Sequence, residues 1–348
     1  MSVASYFQAI PKAEVLIQFE GALPKASLVG LADRNDIAET LKHFNDWIKL
    51  LDQPDPKRMQ DIFKVTSTWF LHGEDLTRAA YDLGTWLAKQ NVRYAEIMVN
   101  PTFYVELPSQ IETFFAALND GRDRAKRAWG IDIAWILSAP REDSRRADDY
   151  ARWVSTAVAK RAGVIGLALS GREDMAALPS FERAFRAVEK KEIPRVVRAG
   201  ELAGAEGVRQ AVEHLVPNRV VDGWGVAGSP EALNDFRDQA ITLAVCPTRA
   251  LKQGWVTALA DYPLRRLYDE NVSLVVGSDM PLMYKTTLAD ELTALVDQLG
   301  FTVEEAEDIA LNGVRASFLP EDAKSDLLAQ VTDELAALRA EHLEPQAK

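Results

Sequence analysis

The sequence is poor in the residues that bind transition metals and form disulfide bonds. It has one cysteine, Cys246, and four histidines among 348 residues. A single cysteine excludes an internal disulfide bond and any metal site built from several thiolates, and it fits a reducing compartment. The histidines all lie in predicted helices, away from strand ends, so we expect surface or cap roles for them. They are His43, His72, His214 and His342.

Basic charge and long apolar runs are also scarce. The formal net charge is -12, and the pI is about 5.0. This charge disfavours binding to nucleic acid or to an anionic membrane, because both would repel the protein. No apolar run approaches the length of a membrane span, and the start, MSVASYFQAIPKAE, lacks a basic region followed by an apolar core. We therefore expect a cytoplasmic protein whose partner is a small molecule or another protein.

Short apolar runs rich in β-branched residues alternate with stretches of helical period along most of the chain. These runs lie at residues 15–19, 94–99, 131–137, 164–169, 195–198, 219–222, 242–246 and 273–277. Eight strand-helix units, whose strands are apolar enough to be buried on both faces, predict a (β/α)₈ TIM barrel rather than an open doubly wound sheet.

Two segments do not fit this alternation. Residues 24–90 have a helical period but are too long for one crossover, so we predict a helical cap inserted after the first strand. The charged, helical tail at residues 320–348 is predicted to pack outside the barrel. Because no linker is evident, residues 1–348 are predicted to form a single domain.

Charged or aromatic residues follow the fifth and sixth predicted strands. The stretch RVVRAGE ends the fifth strand with Arg198 and Glu201, and VVDGWG ends the sixth with Trp224. Parallel βα barrels place their chemistry where strands end, so these three side chains are predicted to share one mouth. Glu201 is also predicted to begin a helix, where the helix dipole favours a carboxylate whether or not it reacts.

Six blocks of the sequence, in order, resemble motifs of the adenosine deaminase family. PKAEVLIQFEGAL is similar to PKxELHxHLDGA, VIGLALSGRE to VxGxDLAGxE, VRAGE to xHAGE, DGWG to xGHG, AVCPTRA to xxCPxSN and VVGSDMPLM to xNTDDPxxF. LNGVRASFL is similar to the family's closing helix, so the resemblance covers residues 11–319. It implies an amidohydrolase-type barrel whose family chemistry is hydrolytic, metal-dependent deamination of adenosine or adenine.

The resemblance implies a zinc ion held by four side chains, and most of these are changed here. The two histidines of the family's first strand match Leu16 and Gln18. The HAGE histidine matches Arg198, and the first aspartate of TDDP matches Asp279. Only Asp279 is retained among the four ligand positions.

The resemblance also implies which residues face the substrate. The family's proton-transferring glutamate matches Glu201, the carboxylate near the ribose matches Glu20, and a glycine that touches the purine matches Gly171. Trp224 replaces the histidine that orients the attacking water, and Met280 replaces an aspartate that contacts the purine. We predict a substrate pocket for a purine-like small molecule. Its residues are Gln18, Glu20, Gly171, Arg198, Trp224 and Met280.

The side chains that replace the three histidines are poor zinc ligands. Leu16 has no donor atom, and the Arg198 guanidinium has a permanent positive charge. An oxygen set of Gln18, Glu201 and Asp279 would suit magnesium or calcium better than zinc, and the nearby arginine opposes even that. We therefore predict no metal at this site and no other cofactor.

Arg198 is predicted to replace the charge of the ion. An unpaired buried arginine would cost several kcal/mol, so we expect it to contact at least one of Asp279, Glu201 and Glu20. In a purely structural interpretation, the Arg198–Asp279 pair seals the barrel mouth and Trp224 fills the metal cavity by packing.

Loss of zinc would remove most of the activation of the attacking water. Zinc lowers the pKa of bound water from about 15.7 to about 7, on the order of 12 kcal/mol, whereas a carboxylate base contributes about 3 to 5 kcal/mol. The first interpretation is therefore a pseudoenzyme that keeps a small-molecule pocket. The second is a metal-free hydrolase that uses Glu201 with Asp279 or Glu20 as acid and base, for example on a nucleoside. The third is a residual zinc deaminase with a different ligand set.

Overall fold

The protein is built on eight parallel strands surrounded by helices. The computed structural model describes residues 2–105 and 110–343. Within them, the strands form one sheet in the order β1 to β8, which confirms the predicted (β/α)₈ barrel. The strands are β1 Lys12–Gln18, β2 Val92–Val99, β3 Asp132–Pro140, β4 Val164–Ser170, β5 Arg195–Arg198, β6 Arg219–Val221, β7 Thr242–Val245 and β8 Leu274–Val276.

The barrel closes through a short contact between β1 and a residue that follows β8. The backbone N–H of Gln18 donates to the carbonyl of Asp279 at 2.8 Å, and the N–H of Asp279 donates to the carbonyl of Leu16 at 2.8 Å. This parallel bridge pairs Asp279 with Ile17. Asp279 is therefore fixed beside the carboxyl end of the first strand.

Helices occupy most of the connections between strands. In the described residues they are α1 Val3–Ala9, α2 Phe19–Ala22, α3 Lys25–Arg34, α4 Ile37–Thr40, α5 Phe44–Asp52, α6 Met59–Ser67, α7 Gly73–Ala88, α8 Ile111–Trp129, α9 Ser144–Val154, α10 Ala157–Arg161, α11 Glu182–Glu189, α12 Gly204–Leu215, α13 Pro230–Asp238, α14 Pro247–Gln253, α15 Leu264–Asp269, α16 Pro281–Tyr284, α17 Leu288–Gln298, α18 Val303–Arg315 and α19 Glu321–His342. None of these helices is long and apolar enough to cross a membrane.

The two segments that break the strand-helix alternation are helical. Helices α3 to α7 fall in the segment predicted as a cap, and α19 packs against α1 and α18. The last five residues of the predicted tail, 344–348, lie outside the described residues. The division into barrel, cap and tail stays a prediction.

β1 starts three residues before the predicted strand. The prediction began too late because buried charged residues interrupt the apolar pattern at the start of β1. Lys12 and Glu14 are both 1% exposed. The Nζ atom of Lys12 donates to the carbonyls of Phe7 and Ile10, each at 2.7 Å. These bonds satisfy the hydrogen-bonding needs of the buried amine. The strand also ends earlier than predicted, so that Glu20 lies in α2.

The close packing of α7 against α8 leaves no space for a side chain at Gly121. An added Cβ would lie 2.0 Å from the backbone oxygen of Thr77 and 2.8 Å from the Cβ of Ala80. We expect Gly121→Ala to lower the free energy of unfolding by about 2 to 3 kcal/mol, because the two helices must move apart. Chemical denaturation measures this change.

Gly30→Ala is the matched control, because Gly30 also lies in a helix but its added Cβ meets no atom within 4 Å. This variant should be neutral or more stable by up to about 1 kcal/mol. Equal effects of the two substitutions would contradict the packing argument.

Candidate functional site

Five charged side chains converge where the strands end. Two of them come from β5 and the turn after it, and the others follow β6, β7 and β8. We call this group the ionic cluster; its members are Arg198, Glu201, Asp222, Arg249 and Asp279. No member is more than 4% exposed at its side chain.

Asp279 is bound by both arginines of the ionic cluster. Arg198 Nη2 donates to Oδ1 of Asp279 at 2.7 Å, and Arg249 Nη1 donates to Oδ2 at 2.9 Å. Both carboxylate oxygens therefore accept a charge-assisted hydrogen bond. The prediction that Arg198 contacts at least one of Asp279, Glu201 and Glu20 is confirmed.

The other two carboxylates complete the network. Arg198 Nη1 donates to Asp222 and lies 3.9 Å from Oε2 of Glu201. Arg249 Nη2 donates to Oε2 of Glu201 at 2.7 Å. The Nε atom of Arg249 is also 3.1 Å from Oδ2 of Asp222. Each arginine is thus surrounded by three carboxylates.

The arginines stay charged despite their burial. Burial and the neighbouring Arg249 oppose ionisation of Arg198, but the three carboxylates outweigh them and raise its pKa. Burial raises the pKa of Asp222 to about 6, although both arginines counteract this effect. Three carboxylates face two guanidinium groups, so one carboxylate is in excess, and Asp222 is the one placed to take up a proton in mild acid.

Left-handed backbone conformations place the two aspartates. Asp222 has φ 56° and Asp279 has φ 52°. Most residues avoid this region, whereas aspartate is among those that tolerate it. Asp222 directly follows β6 and Asp279 lies three residues after the end of β8, so the sharp turns bring their carboxylates to the arginines.

The turn that carries Glu201 is held by a second carboxylate, that of Glu173. It accepts hydrogen bonds of 2.6, 2.7 and 2.9 Å from the backbone N–H groups of Gly200, Leu202 and Ala203. The prediction that Glu201 begins a helix is wrong, because α12 starts at Gly204. Its carboxylate is held by Arg249 and not by a helix dipole.

A cavity of about 540 Å³ opens beside the ionic cluster. Its polar side chains include Gln18, Glu20, Arg198, Glu201 and Arg249. Its apolar side chains include Met59, Phe63, Phe103, Met175 and Met280. Charged residues at other points of the lining are Lys64, Glu142, Asp143, Arg146 and Arg172. An apolar pocket with a few converging polar groups is typical of a small-molecule site.

Glu20 is a buried carboxylate of the cavity lining that lies outside the ionic cluster. Its Oε1 accepts a hydrogen bond of 2.9 Å from the backbone N–H of Asn100, and its Oε2 accepts one from Nε2 of Gln18. Burial raises the pKa of Glu20 to about 7, although these bonds act in the opposite direction. Its side chain therefore exchanges a proton near neutral pH.

The cavity brings together most of the predicted pocket residues. Gln18, Glu20, Gly171, Arg198 and Met280 line it, together with Glu201. Two further residues singled out from the sequence, Leu16 and Asp279, are fully buried and do not line it.

Trp224 was predicted in the pocket, but it is not among the lining residues. It begins a 3₁₀ helix, Trp224–Gly228, and its ring packs against Tyr262 with 5.8 Å between ring centroids. The short helix turns the indole into an apolar cluster, so its position at a strand end did not place it in the cavity.

Comparison with known proteins decides the family. The sequence profile described as Adenosine deaminase matches residues 11–334. The chain belongs to the adenosine deaminase family. A putative adenosine/adenine deaminase of Streptomyces coelicolor is 28% identical over 336 residues, covering 94% of this chain and 97% of the relative.

Solved structures of similar proteins share the fold. An amidohydrolase from Burkholderia ambifaria with bound zinc has a TM-score of 0.88 at 24% identity, covering 98% of this chain and 95% of that chain. The Arabidopsis protein ADAL, complexed with IMP, has a TM-score of 0.83 at 17% identity, covering 96% of this chain and 99% of that chain.

The zinc ion expected for an adenosine deaminase does not fit these residues. Both oxygens of Asp279 already accept hydrogen bonds from arginines, and Leu16 offers no donor atom. Two guanidinium groups near the aspartate also repel a cation. Across residues 2–105 and 110–343, no group of three or more histidine, cysteine, aspartate or glutamate side chains is arranged to hold a metal ion.

Sequence analysis missed two members of the ionic cluster, Asp222 and Arg249. Asp222 directly follows β6, and Arg249 stands at the serine position of the family's CPxS motif. A second arginine in a matched block, at a position where the family has an uncharged serine, was the signal that could have revealed Arg249. Its guanidinium also lies 5.4 Å from the ring centroid of Trp255 and 5.6 Å from that of Tyr284.

Removal of Arg249 should strongly destabilise the protein. Arg249→Met leaves three buried carboxylates with one arginine, and breaking such buried pairs costs about 3 to 5 kcal/mol. Denaturant titration at neutral pH measures the loss. The control is Arg209→Met, since Arg209 pairs with Glu206 and Glu213 on the surface. Solvent screens that pair, so its loss should be much smaller, and similar losses would refute the cluster's energetic role.

Replacement of Glu20 by glutamine should alter the pH dependence of stability. The pKa of Glu20 is about 7 in the folded chain, against 4.5 for an unperturbed glutamate. Between these values the folded state binds more protons, so wild-type stability falls as pH rises. The stability of Glu20→Gln minus that of the wild type should therefore increase by about 3 kcal/mol from pH 4.5 to 7, then level off.

Unfolding measured across this pH range tests the Glu20 prediction. Glu206→Gln is the control, because exposed Glu206 has its pKa lowered to about 2 by hydrogen bonds from Arg209 and Gln210. The control should show no such rise. A pH-independent difference for Glu20→Gln would mean that the carboxyl titrates normally.

Proposed function

We propose that this member of the adenosine deaminase family binds a purine-like small molecule, such as a nucleoside, without zinc-dependent deamination. The observation that carries the proposal is the saturation of Asp279: Arg198 and Arg249 donate to its two oxygens at 2.7 and 2.9 Å. Asp279, the retained zinc-ligand position of the family, therefore has both carboxylate oxygens bound by guanidinium groups.

The shape and chemistry of the cavity support a flat ligand. Its volume of about 540 Å³ suits a small molecule, and Phe63, Phe103 and Met280 supply apolar surface for a ring. Glu20 and Gln18 supply hydrogen-bonding groups at the same cavity. The IMP complex of the Arabidopsis relative and the name of the Streptomyces relative agree with a purine.

The arrangement of Glu201 argues against the family's proton transfer. Its Oε2 accepts a hydrogen bond from Arg249 at 2.7 Å, and Arg198 lies 3.9 Å away. To take a proton from water, the carboxylate would have to weaken a buried ion pair. Without a metal-activated water, a deficit on the order of 8 kcal/mol remains between zinc activation and a carboxylate base.

The same contacts do not favour a metal-free hydrolase that uses Glu201 with Asp279. Asp279 is fully buried, does not line the cavity and has no free oxygen. A general acid or base must reach the proton that it transfers, and Asp279 is too deep to do so.

Metal content, turnover and binding of the purified full chain test the proposal together. We expect substoichiometric zinc after dialysis against zinc salt, no ammonia from adenosine or adenine, and a saturable calorimetric signal with adenosine. The apolar lining should contribute to adenosine affinity. Phe103→Ala should therefore weaken adenosine binding, whereas the surface variant Arg209→Met should not.

Two outcomes would replace the proposal. Stoichiometric zinc with ammonia release would establish a deaminase with an unforeseen ligand set. Release of a free base from adenosine without metal, lost in Glu201→Gln, would establish a hydrolase instead.

A further inference from the structure

The side chain of Gln18 has an acceptor atom without a partner. Gln18 is the last residue of β1, is 3% exposed and lines the cavity. Its Nε2 donates to Glu20, but its Oε1 is buried and accepts no hydrogen bond from residues 2–105 or 110–343. Folded proteins satisfy most buried polar groups, because an unpaired acceptor loses its hydration without compensation.

Glu20 and the ionic-cluster residues that line the cavity already have hydrogen-bond partners. Oε1 of Glu20 accepts from Asn100, and the side chains of Arg198, Arg249 and Glu201 bond within the ionic cluster. Among the described residues that line the cavity, Gln18 Oε1 is the buried side-chain oxygen left without a partner.

The orientation of the Gln18 amide follows from its neighbour. An ionised Glu20 can only accept hydrogen bonds, so the NH₂ group of Gln18 must face it. The backbone N–H of Asn100 fixes the other oxygen of Glu20 at 2.9 Å. Turning the amide over would set two acceptor oxygens against each other. In its ionised form, which prevails above about pH 7, Glu20 therefore keeps Gln18 Oε1 available to a ligand.

We propose that Gln18 Oε1 is a specificity-determining acceptor, which selects purine-like ligands with an N–H or O–H donor at this point of the cavity. The inference rests on the proposed function, since it assumes a ligand in this cavity. Either the exocyclic amine of an aminopurine or a sugar hydroxyl has the required chemistry. A buried acceptor that meets a ligand without a donor stays unpaired, and this penalty creates the selectivity.

Isothermal titration calorimetry with matched nucleosides tests the inference. The probes are adenosine, purine riboside, which lacks the amine, and the 2′-, 3′- and 5′-deoxyadenosines, which each lack one hydroxyl. We expect one of these deletions to weaken binding to the wild type about 10-fold, because one buried hydrogen bond is lost.

The variant Gln18→Met removes the same hydrogen bond from the protein side, because it keeps the length of the side chain and removes the acceptor. It should weaken adenosine binding about 10-fold, and it should bind adenosine and the sensitive analogue within about 2-fold of each other. A merely structural role of Gln18 would weaken all probes equally. The surface variant Arg209→Met is the control and should keep the wild-type discrimination.

The outcomes separate this inference from the proposed function. If adenosine and all four analogues bind the wild type with equal affinity, the inference is overturned while the purine pocket stands. Retained discrimination in Gln18→Met overturns it as well. If none of the probes binds the wild type, both proposals fail. If Gln18→Met does not fold, Gln18→Asn replaces it in the comparison with the wild type. The shorter amide withdraws the acceptor, so the affinity difference between adenosine and the sensitive analogue should be smaller in Gln18→Asn.

Discussion

One aspartate joins the closure of the barrel to the chemistry of its mouth. The backbone of Asp279 bridges the end of β8 to Leu16 and Gln18 of β1, while its carboxylate is shared by Arg198 and Arg249. The barrel seam and the ionic cluster therefore depend on the same residue. Two covalently attached cations pair with the carboxylates of this mouth without metal loading, but a guanidinium cannot deliver an activated water.

Buried charge recurs elsewhere in the barrel. Arg219, the first residue of β6, lies 2.8 Å from Glu96 of β2, and both side chains are at most 1% exposed. Arg219 also donates to the carbonyls of Val15 and Ala316 at 2.8 Å. Such pairs lose much of their Coulomb gain to desolvation, so they constrain geometry more than they add stability. The ionic cluster differs because some of its members also face the cavity.

Much of the fold was predictable, because strand and helix periodicity is a local property. The Arg198–Asp279 contact was predictable as well, since a buried arginine needs a carboxylate. Asp222 and Arg249 were missed because their roles depend on turns after strands that periodicity does not reveal. Trp224 was misplaced for the same reason: the 3₁₀ helix that begins there rotates its ring towards Tyr262.

The turn after β5 has a consequence for the kind of ligand group that the barrel can hold. Runs of free backbone amides often bind phosphate or other anions in βα proteins. Here Glu173 already accepts from the amides of Gly200, Leu202 and Ala203. The carboxylate of Glu173 thus already occupies this anion-binding turn. The phosphate of a phosphorylated ligand would instead have to pair with basic side chains such as Arg146 or Arg172.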